Sequence, residues 1–469
     1  MIVLKQANEE ILKQLGGIQH RTEGKKYRMN KYCLESSVDD GTVIHNCFTG
    51  AEVMIKPFEY INIFTTQYCD YAQFLLANYF IVPEDFEEDV WVEIIRERQR
   101  MPITATYLEH PNKFIILTTT KCNARCFYCY ELSSKHKTHM TYDTAEKVAN
   151  YIINNAPKNQ PIELGWFGGE PLFNSDVIEI ICSRLASARL NFSSHMISNC
   201  YLFDEAMVEK AKTEWRVKNV QCTLDGTEDT YNKIKNYIYK DGISPYKKVI
   251  EGVQLLVKAG IPVSVRMNCD FHNAANLKEL ILELDSVFKG VGNFSMYIWP
   301  LFEIGFTRGP KEKETLYNSI LELENLLVDL GYPIGHRIPN MIKGVHCMVD
   351  SGEAITITPN GDIGLCEHYI DRDFISHIDN PLEKDFDMIR SWRNYVQPTE
   401  YCNDCPLFPI CLKMKKCPDE IPCEEFQKNY WINHYKLELK CNYIMYKQEQ
   451  LNKSCSCEDK CNNVKCEKL

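Results

Sequence analysis

Long apolar runs are missing from this chain: no uncharged hydrophobic stretch approaches the length of a membrane span. A surplus of positive charge is missing as well. Lysine and arginine number 53 against 64 aspartates and glutamates, a net charge of -11. That balance argues against nucleic acid as the main partner, because phosphate binding needs an excess of basic side chains. The first fifteen residues do not read as a secretion signal, since Lys5, Glu9, Glu10 and Lys13 interrupt them. The expectation is a cytoplasmic protein with neither a membrane nor a nucleic-acid partner. At 469 residues, 45% apolar and 25% charged, it has an ordinary globular composition and is too long for one core.

What the chain has in quantity is cysteine, 22 residues of it. In a reducing compartment these are not expected as disulfides, and their clustering points to metal or iron–sulfur ligation. Cys33, Cys47, Cys69, Cys182 and Cys269 stand singly among apolar residues and read as small buried hydrophobes. The organising stretch is Cys122-Asn-Ala-Arg-Cys126-Phe-Tyr-Cys129, on a loop that leaves an apolar, β-branched run at 114–120. Three thiols at this spacing wrap one face of a cubane cluster and leave one iron open for a small ligand. The other reading of the same spacing is a zinc site completed by a remote fourth ligand.

From 114 to 301, extended apolar runs alternate with amphipathic stretches. Strands are expected at 114–120, 162–167, 193–198, 219–224, 261–267 and 294–299, and helices at 142–156, 175–189, 204–213, 245–259 and 274–287. Such alternation predicts a parallel sheet with its ligands at the carboxyl ends of the strands. Polar motifs recur at those ends: Gly168-Gly169-Glu170-Pro171, Ser198-Asn199 and Thr223-Leu224-Asp225-Gly226. Arg266 and Asn268 share one face of the fifth strand. An arginine there needs an anion, either a ligand carboxylate or a structural salt bridge.

Cysteine loop and strand-end series together resemble the radical S-adenosylmethionine (SAM) enzymes. The resemblance implies an α/β fold, a partial (β/α)6 TIM-like barrel over residues 106–310, in which Cys122, Cys126 and Cys129 hold a [4Fe–4S] cluster. It implies that Gly168, Gly169 and Glu170 meet the SAM amino group, that Ser198 and Asn199 lie at its ribose, and that Tyr128 packs near its adenine. The string at 223–226 resembles the family's SLDG, with Thr223 for serine and Asp225 kept. Arg266 is a candidate for the SAM carboxylate. So is Lys235, where the family commonly has an arginine; a lysine there offers a point charge and not a bidentate fork.

Farther on, Ile355 to Ile363 reads as a hairpin turning at Pro359-Asn360-Gly361, between Cys347 and Cys366. Cys402, Cys405, Cys411, Cys417 and Cys423 follow. Taken alone, Cys402-x2-Cys405 would suggest a zinc ribbon. After a radical SAM core, residues 340–430 resemble the SPASM domain, which holds two auxiliary [4Fe–4S] clusters. By order, Cys347, Cys366 and Cys417 would ligate the first, and Cys402, Cys405, Cys411 and Cys423 the second. The five residues between Cys411 and Cys417 exceed the family spacing, and Cys441 is a possible substitute for Cys423. Glu367 stands where sulfatase-maturing relatives carry a carboxylate that takes a proton from the substrate, which makes it the catalytic candidate; the alternative is a solvent-facing hairpin side chain.

Residues 1–105 read as a small α+β module of winged-helix-like element order. Strands over 26–56 turn at Asp39-Asp40-Gly41, and helices are expected near 57–66 and 69–80. It is either a leader-peptide recognition element, capturing an extended peptide on a strand edge, or a structural cap over the barrel. The tail, 431–469, has a helical stretch and then Cys455, Cys457, Cys461 and Cys466, for which the motifs give no role. The expected function is a radical SAM oxidoreductase that matures a ribosomally made precursor peptide by a thioether or carbon–carbon cross-link, with flavodoxin or ferredoxin as reductant. Formylglycine formation in the manner of anaerobic sulfatase maturases, and a non-catalytic zinc scaffold, are the alternatives.

Overall fold

The computed structural model describes residues 1–16, 26–62, 70–105, 110–129, 131, 137–301, 308–334, 338, 348–392, 399–411 and 423–464. Cys347, Cys417 and Cys466 lie outside the described residues, as do the side chains of Cys455, Cys457 and Cys461.

The amino-terminal part begins with β1 (Ile2–Lys5), α1 (Glu9–Gln14), β2 (Tyr27–Met29), β3 (Cys33–Val38), β4 (Gly41–Asn46) and β5 (Glu52–Ile55). Then come α2 (Pro57–Asn62), α3 (Asp70–Ala77), β6 (Ile81–Pro83) and α4 (Glu88–Ala105). The expected meander is β3, β4 and β5, but β1 adds a fourth antiparallel strand, giving the order β1-β5-β4-β3. The turn at Gly41 is as tight as glycine allows, since a Cβ there would stand 2.1 Å from the Ile55 carbonyl oxygen.

The barrel follows as β7 (Lys113–Thr119), α5 (Tyr142–Asn155), β8 (Ile162–Gly168), α6 (Ser175–Ser187), β9 (Phe192–Ser198) and α7 (Glu205–Thr213). It continues through β10 (Val217–Thr223), α8 (Glu228–Lys235), α9 (Pro245–Lys258), β11 (Val263–Cys269), α10 (Ala274–Phe288) and β12 (Phe294–Pro300). All six strands are parallel and in sequence order. Burial alternates along β9: Phe192, Ser194, Met196 and Ser198 are buried, and the residues between them are half-buried. Such alternation sets one face against the helices and the other toward the concave side of the sheet. Helix α9 buries Tyr246, Val249, Val253 and Leu256, one stripe at helical spacing. Thr141 and Asp204 cap α5 and α7 by accepting from Thr144 N and Met207 N.

After α11 (Pro310–Asp329) and α12 (Met348–Ser351), the expected hairpin is formed by β13 (Ala354–Ile357) and β14 (Asp362–Gly364), followed by β15 (Phe374–His377) and α13 (Phe386–Trp392). The hairpin joins the barrel: β13 pairs parallel with β7, Ala354 opposite Lys113 and Ile357 opposite Ile116, giving one nine-stranded sheet.

A long helix, α14 (Glu425–Val464), closes the chain and bridges its two ends. Toward the barrel, Tyr430 Oη and His434 Nδ1 lie 3.0 and 2.9 Å from Glu324 Oε1 on α11. Toward the amino-terminal sheet, Ser36 Oγ donates to the Lys436 carbonyl at 2.7 Å, and Tyr443 and Lys447 both reach Asp40. Leu407 and Ile410 pack into the same core as Cys47, Phe48 and Tyr435. The cysteine-rich segment therefore rests on the amino-terminal sheet. Among the described residues no helix is long and apolar enough to cross a membrane.

Candidate active site

The cysteine loop leaves the carboxyl end of β7. Thr119 anchors its start: its Oγ1 donates to the Thr138 carbonyl and accepts from Lys121 N, both at 2.9 Å. The end of β8 lies directly against it. Gly169 N donates to the Thr119 carbonyl at 3.0 Å and Glu170 N to the Lys121 carbonyl at 3.1 Å. Only glycines permit this approach. Gly168 has φ +118°, and a Cβ on Gly169 would sit 2.3 Å from the Lys121 carbonyl oxygen. Gly169→Ala is expected to push the cysteine loop outward and weaken SAM binding by about tenfold or more, roughly the loss of one charge-assisted contact; calorimetric titration of the loaded protein measures this.

A second chain segment holds the loop from the other side. Arg125 N donates to the Lys235 carbonyl at 2.7 Å, and Ile238 N to the Asn123 carbonyl at 2.9 Å. Within the loop, Ala124 N donates to Cys122 Sγ at 3.3 Å, and Asn199 Nδ2 approaches the same sulfur at 3.8 Å. Burial first, then the charges of Glu170 and the other two cysteines, push the Cys122 thiol up to about 12; burial also raises Cys126. The three half-buried thiols share one neighbourhood, and a bound cation would make them release their protons. Among the described residues no group of His, Cys, Asp or Glu closes on a point fit for a single metal ion. The donor set is all sulfur, with N–H groups directed at one of the sulfurs, which suits an iron–sulfur cluster.

Glu170 is fully buried. Its Oε1 accepts from Ser198 Oγ at 2.8 Å and Leu172 N at 3.2 Å, and its Oε2 from Asn199 N at 2.8 Å. Burial outweighs these donors and lifts its pKa to about 7. The Ser198 hydroxyl is thus directed to Glu170, and the Asn199 amide to Asn123 at 2.7 Å.

Asp225, Lys235, Tyr128 and Asn268 form a buried network. Lys235 Nζ lies 2.8 Å from Asp225 Oδ2 and donates to Tyr128 Oη at 2.8 Å; the Tyr128 hydroxyl donates to Asp225, and Asn268 N donates to Asp225 Oδ1 at 3.1 Å. Burial pulls the Lys235 ammonium down, but Asp225, Tyr128 and Cys126 together more than offset it and hold the pKa well above the usual lysine value. The point charge is already spent on Asp225, a carboxylate of this chain. Arg266 Nε donates to Asn268 Oδ1 at 2.9 Å, and its guanidinium lies 5.8 Å from the Trp299 ring centre.

Farther along, burial and then the charges of Cys411, Cys423 and Cys402 push the Cys405 thiol up to about 12, so these four cysteines share one neighbourhood. Cys441 is elsewhere: it is buried with Val328 and Ile334 in the seam between α11 and α14, its thiol 3.8 Å from the Tyr332 carbonyl oxygen. Cys366 Sγ accepts from His368 N at 3.4 Å, and Glu367 is half-buried, its pKa raised by that burial. Through β13 the hairpin places Gly364 level with Ile115, four residues below Thr119 on β7. That register sets Cys366 and Glu367 off from the first cysteine loop.

A model of the radical SAM superfamily matches residues 116–284. A protein of Methanocaldococcus jannaschii (strain ATCC 43067), described as "Uncharacterized protein MJ0907", is 30% identical over 258 residues, 54% of this chain and 83% of its own length. This chain belongs to the radical SAM superfamily. Radical SAM cyclopropyl synthase TigE of Paramaledivibacter caminithermalis is 26% identical over 182 residues, 35% of this chain and 37% of TigE. Among solved structures, "Native anSMEcpe with bound AdoMet and Cp18Cys peptide" aligns with a TM-score of 0.56 at 14% identity, over 72% of this chain and 99% of that one. At that identity the likeness concerns the fold. The radical SAM family implies a SAM-binding [4Fe–4S] cluster, and the cysteine loop supplies the ligand chemistry for it.

Two features of this radical SAM site escaped the sequence reading. Asn123 ties the loop to Asn199 and to Ile238, inside a motif where the cysteines and Tyr128 drew attention. Glu131, two residues beyond Cys129, is buried with its Oε2 unpartnered. Its signal was its place alone: an acid directly following a ligand loop.

Proposed function

We propose that this radical SAM enzyme matures a ribosomally made precursor peptide, forming a thioether or carbon–carbon cross-link. The observation that carries the reading is the packing of Leu407 and Ile410, between the clustered cysteines, into the core of the amino-terminal sheet. A second thiol cluster, a sheet with strand edges at β1 and β3, and a radical SAM barrel in one body suit a substrate long enough to touch all three. The free thiols fit a reducing cytoplasm.

The bound cluster and SAM supply a 5′-deoxyadenosyl radical, made with one electron from a carrier such as flavodoxin or ferredoxin. This chain positions the parts. Cys122, Cys126 and Cys129 would hold the cluster and Glu170 would accept from the SAM ammonium. Gly168 and Gly169 would let that carboxylate approach, and the Asp225–Lys235–Tyr128 network would hold Tyr128 in place for the cofactor. Cys402, Cys405, Cys411 and Cys423 ligate one auxiliary cluster; Cys366, with Cys347 and Cys417, ligates the other. Residues 1–105 act as the leader-binding module, 106–310 as the radical core and 340–430 as the auxiliary-cluster domain.

The test pairs a metal census with a peptide experiment. After anaerobic reconstitution, about twelve irons per chain with matching sulfide are expected, from three cubanes. About four would remove the auxiliary clusters, and zinc without iron would end the reading in favour of a scaffold. Peptides encoded beside the gene are then added to the full chain, and amide exchange is followed: β1 or β3 slows if the leader adds as a strand. A second reading, oxidation of a cysteine or serine to formylglycine, is favoured by Glu367, a half-buried carboxyl of raised pKa directly after Cys366. An aldehyde in the product, detected with a hydrazide, would select it; a cross-link without aldehyde selects the first.

A further inference from the structure

A buried carboxyl without a hydrogen-bond donor is costly, because the group gives up its hydration and receives nothing in return. Glu131 is in that position. It is 5% exposed, its Oε2 is buried without a partner, and no described group donates to it. Its neighbourhood makes this more unusual, since it feels the negative charge of Glu170. Two buried carboxyls face each other's charge with no described cation closing the gap.

Glu170 has little acceptor capacity to spare. An ionised carboxylate offers about four lone-pair positions, and Ser198, Leu172 and Asn199 already take three of them. An α-ammonium brings three N–H donors. One remaining position on Glu170 leaves the other donors to be met elsewhere. Glu131 follows Cys129 by two positions in sequence, so the second carboxyl stays near the ligand cysteines.

We propose that Glu131 is a second carboxylate for the α-ammonium of SAM, sharing that cation with Glu170. The inference rests on SAM binding at this site. Glu131 is a positioning residue: it orients the amino-acid end of the cofactor and compensates the charge that Glu170 alone leaves incompletely paired.

Anaerobic calorimetric titration of the reconstituted holoenzyme tests it with three probes: SAM, S-adenosylhomocysteine, and 5′-methylthioadenosine, which lacks the amino-acid end. Glu131→Gln is expected to weaken SAM and S-adenosylhomocysteine by about 10- to 100-fold, the worth of a hydrogen bond to a charged group, and to leave 5′-methylthioadenosine unchanged. Equal affinities for all three probes in variant and wild type would overturn the proposal. Weakening of SAM alone would overturn it in favour of a contact with the sulfonium, and equal weakening of all three would reduce Glu131 to a fold residue. Should the Gln variant lose its iron, Glu131→Asp carries the same titration, keeping the charge but withdrawing it by one methylene. Wild-type holoenzyme that binds none of the probes would refute SAM binding itself, a distinct result.

Discussion

Purified and reconstituted without oxygen, the Cys126→Ala chain should carry about four fewer irons than the wild type and show no reductive cleavage of SAM. Cys126 sits in the middle of the ligand loop, and its amide neighbours are held on both sides: Arg125 N by the Lys235 carbonyl, Cys129 N by the Cys126 carbonyl. Alanine leaves these backbone bonds intact and removes only the sulfur. The loss is therefore one of ligation and not of fold, and the variant should keep its thermal unfolding midpoint in the metal-free state. Iron and sulfide analysis together with 5′-deoxyadenosine quantification make the check. Full iron content would move the cluster away from this loop. The same change at Cys441 should leave the metal content untouched, because that thiol packs in a helix seam.

Asp225→Ala should cost about 3–5 kcal/mol, the usual price of stranding one member of a buried ion pair. Lys235 and Asp225 have side chains 4% and 1% exposed, so water cannot take over the role of the lost carboxylate. Asn268 N and the Tyr128 hydroxyl lose their acceptor in the same stroke. The pH dependence has a defined sign. In the variant, burial without a counter-charge drops the folded-state pKa of Lys235 below its unfolded value. The unfolded chain then binds more protons, and stability rises with pH toward the alkaline side. In the wild type the folded pKa is held well above the ordinary lysine value, so between pH 6 and 9, roughly, this pair adds no slope. A double replacement, Asp225→Leu with Lys235→Met, should recover part of the stability but not the hydrogen bond that orients Tyr128. Thermal unfolding across pH for all three chains is the measurement.

The barrel was legible because its signal is local. Short extended runs alternate with amphipathic helices, and each expected strand bound falls within two residues of the observed one. Helix α8 was not read, and its burial says why: it buries Tyr231 and Lys235, an aromatic and a charge, and has no apolar stripe. β1 escaped because four residues at the chain start carry no alternation or turn signal, and only their pairing with β5 makes them a strand. The hairpin at 355–363 was legible from Pro359-Asn360-Gly361. Its parallel attachment to β7 was not, since that pairing joins residues some 240 apart in sequence. At the site, motif order located the cysteine loop, the glycine pair and Glu170. It did not give how the polar groups pair within the chain: Lys235 answers Asp225, and the Ser198 hydroxyl answers Glu170. Such reciprocity depends on which strands neighbour one another, a property of the folded sheet.

The attachment of β13 to β7 also sets a length. Two strand spacings of about 4.8 Å and four rises of about 3.3 Å separate Gly364 from Thr119, roughly 16 Å in all. Every step of that span is a backbone ladder. An electron moving between the two cysteine regions would cross a gap held by sheet hydrogen bonds, which stretch far less than loops do. That distance should therefore be the same in the resting and the peptide-loaded protein, and any substrate control of the transfer would have to act on driving force, not on distance.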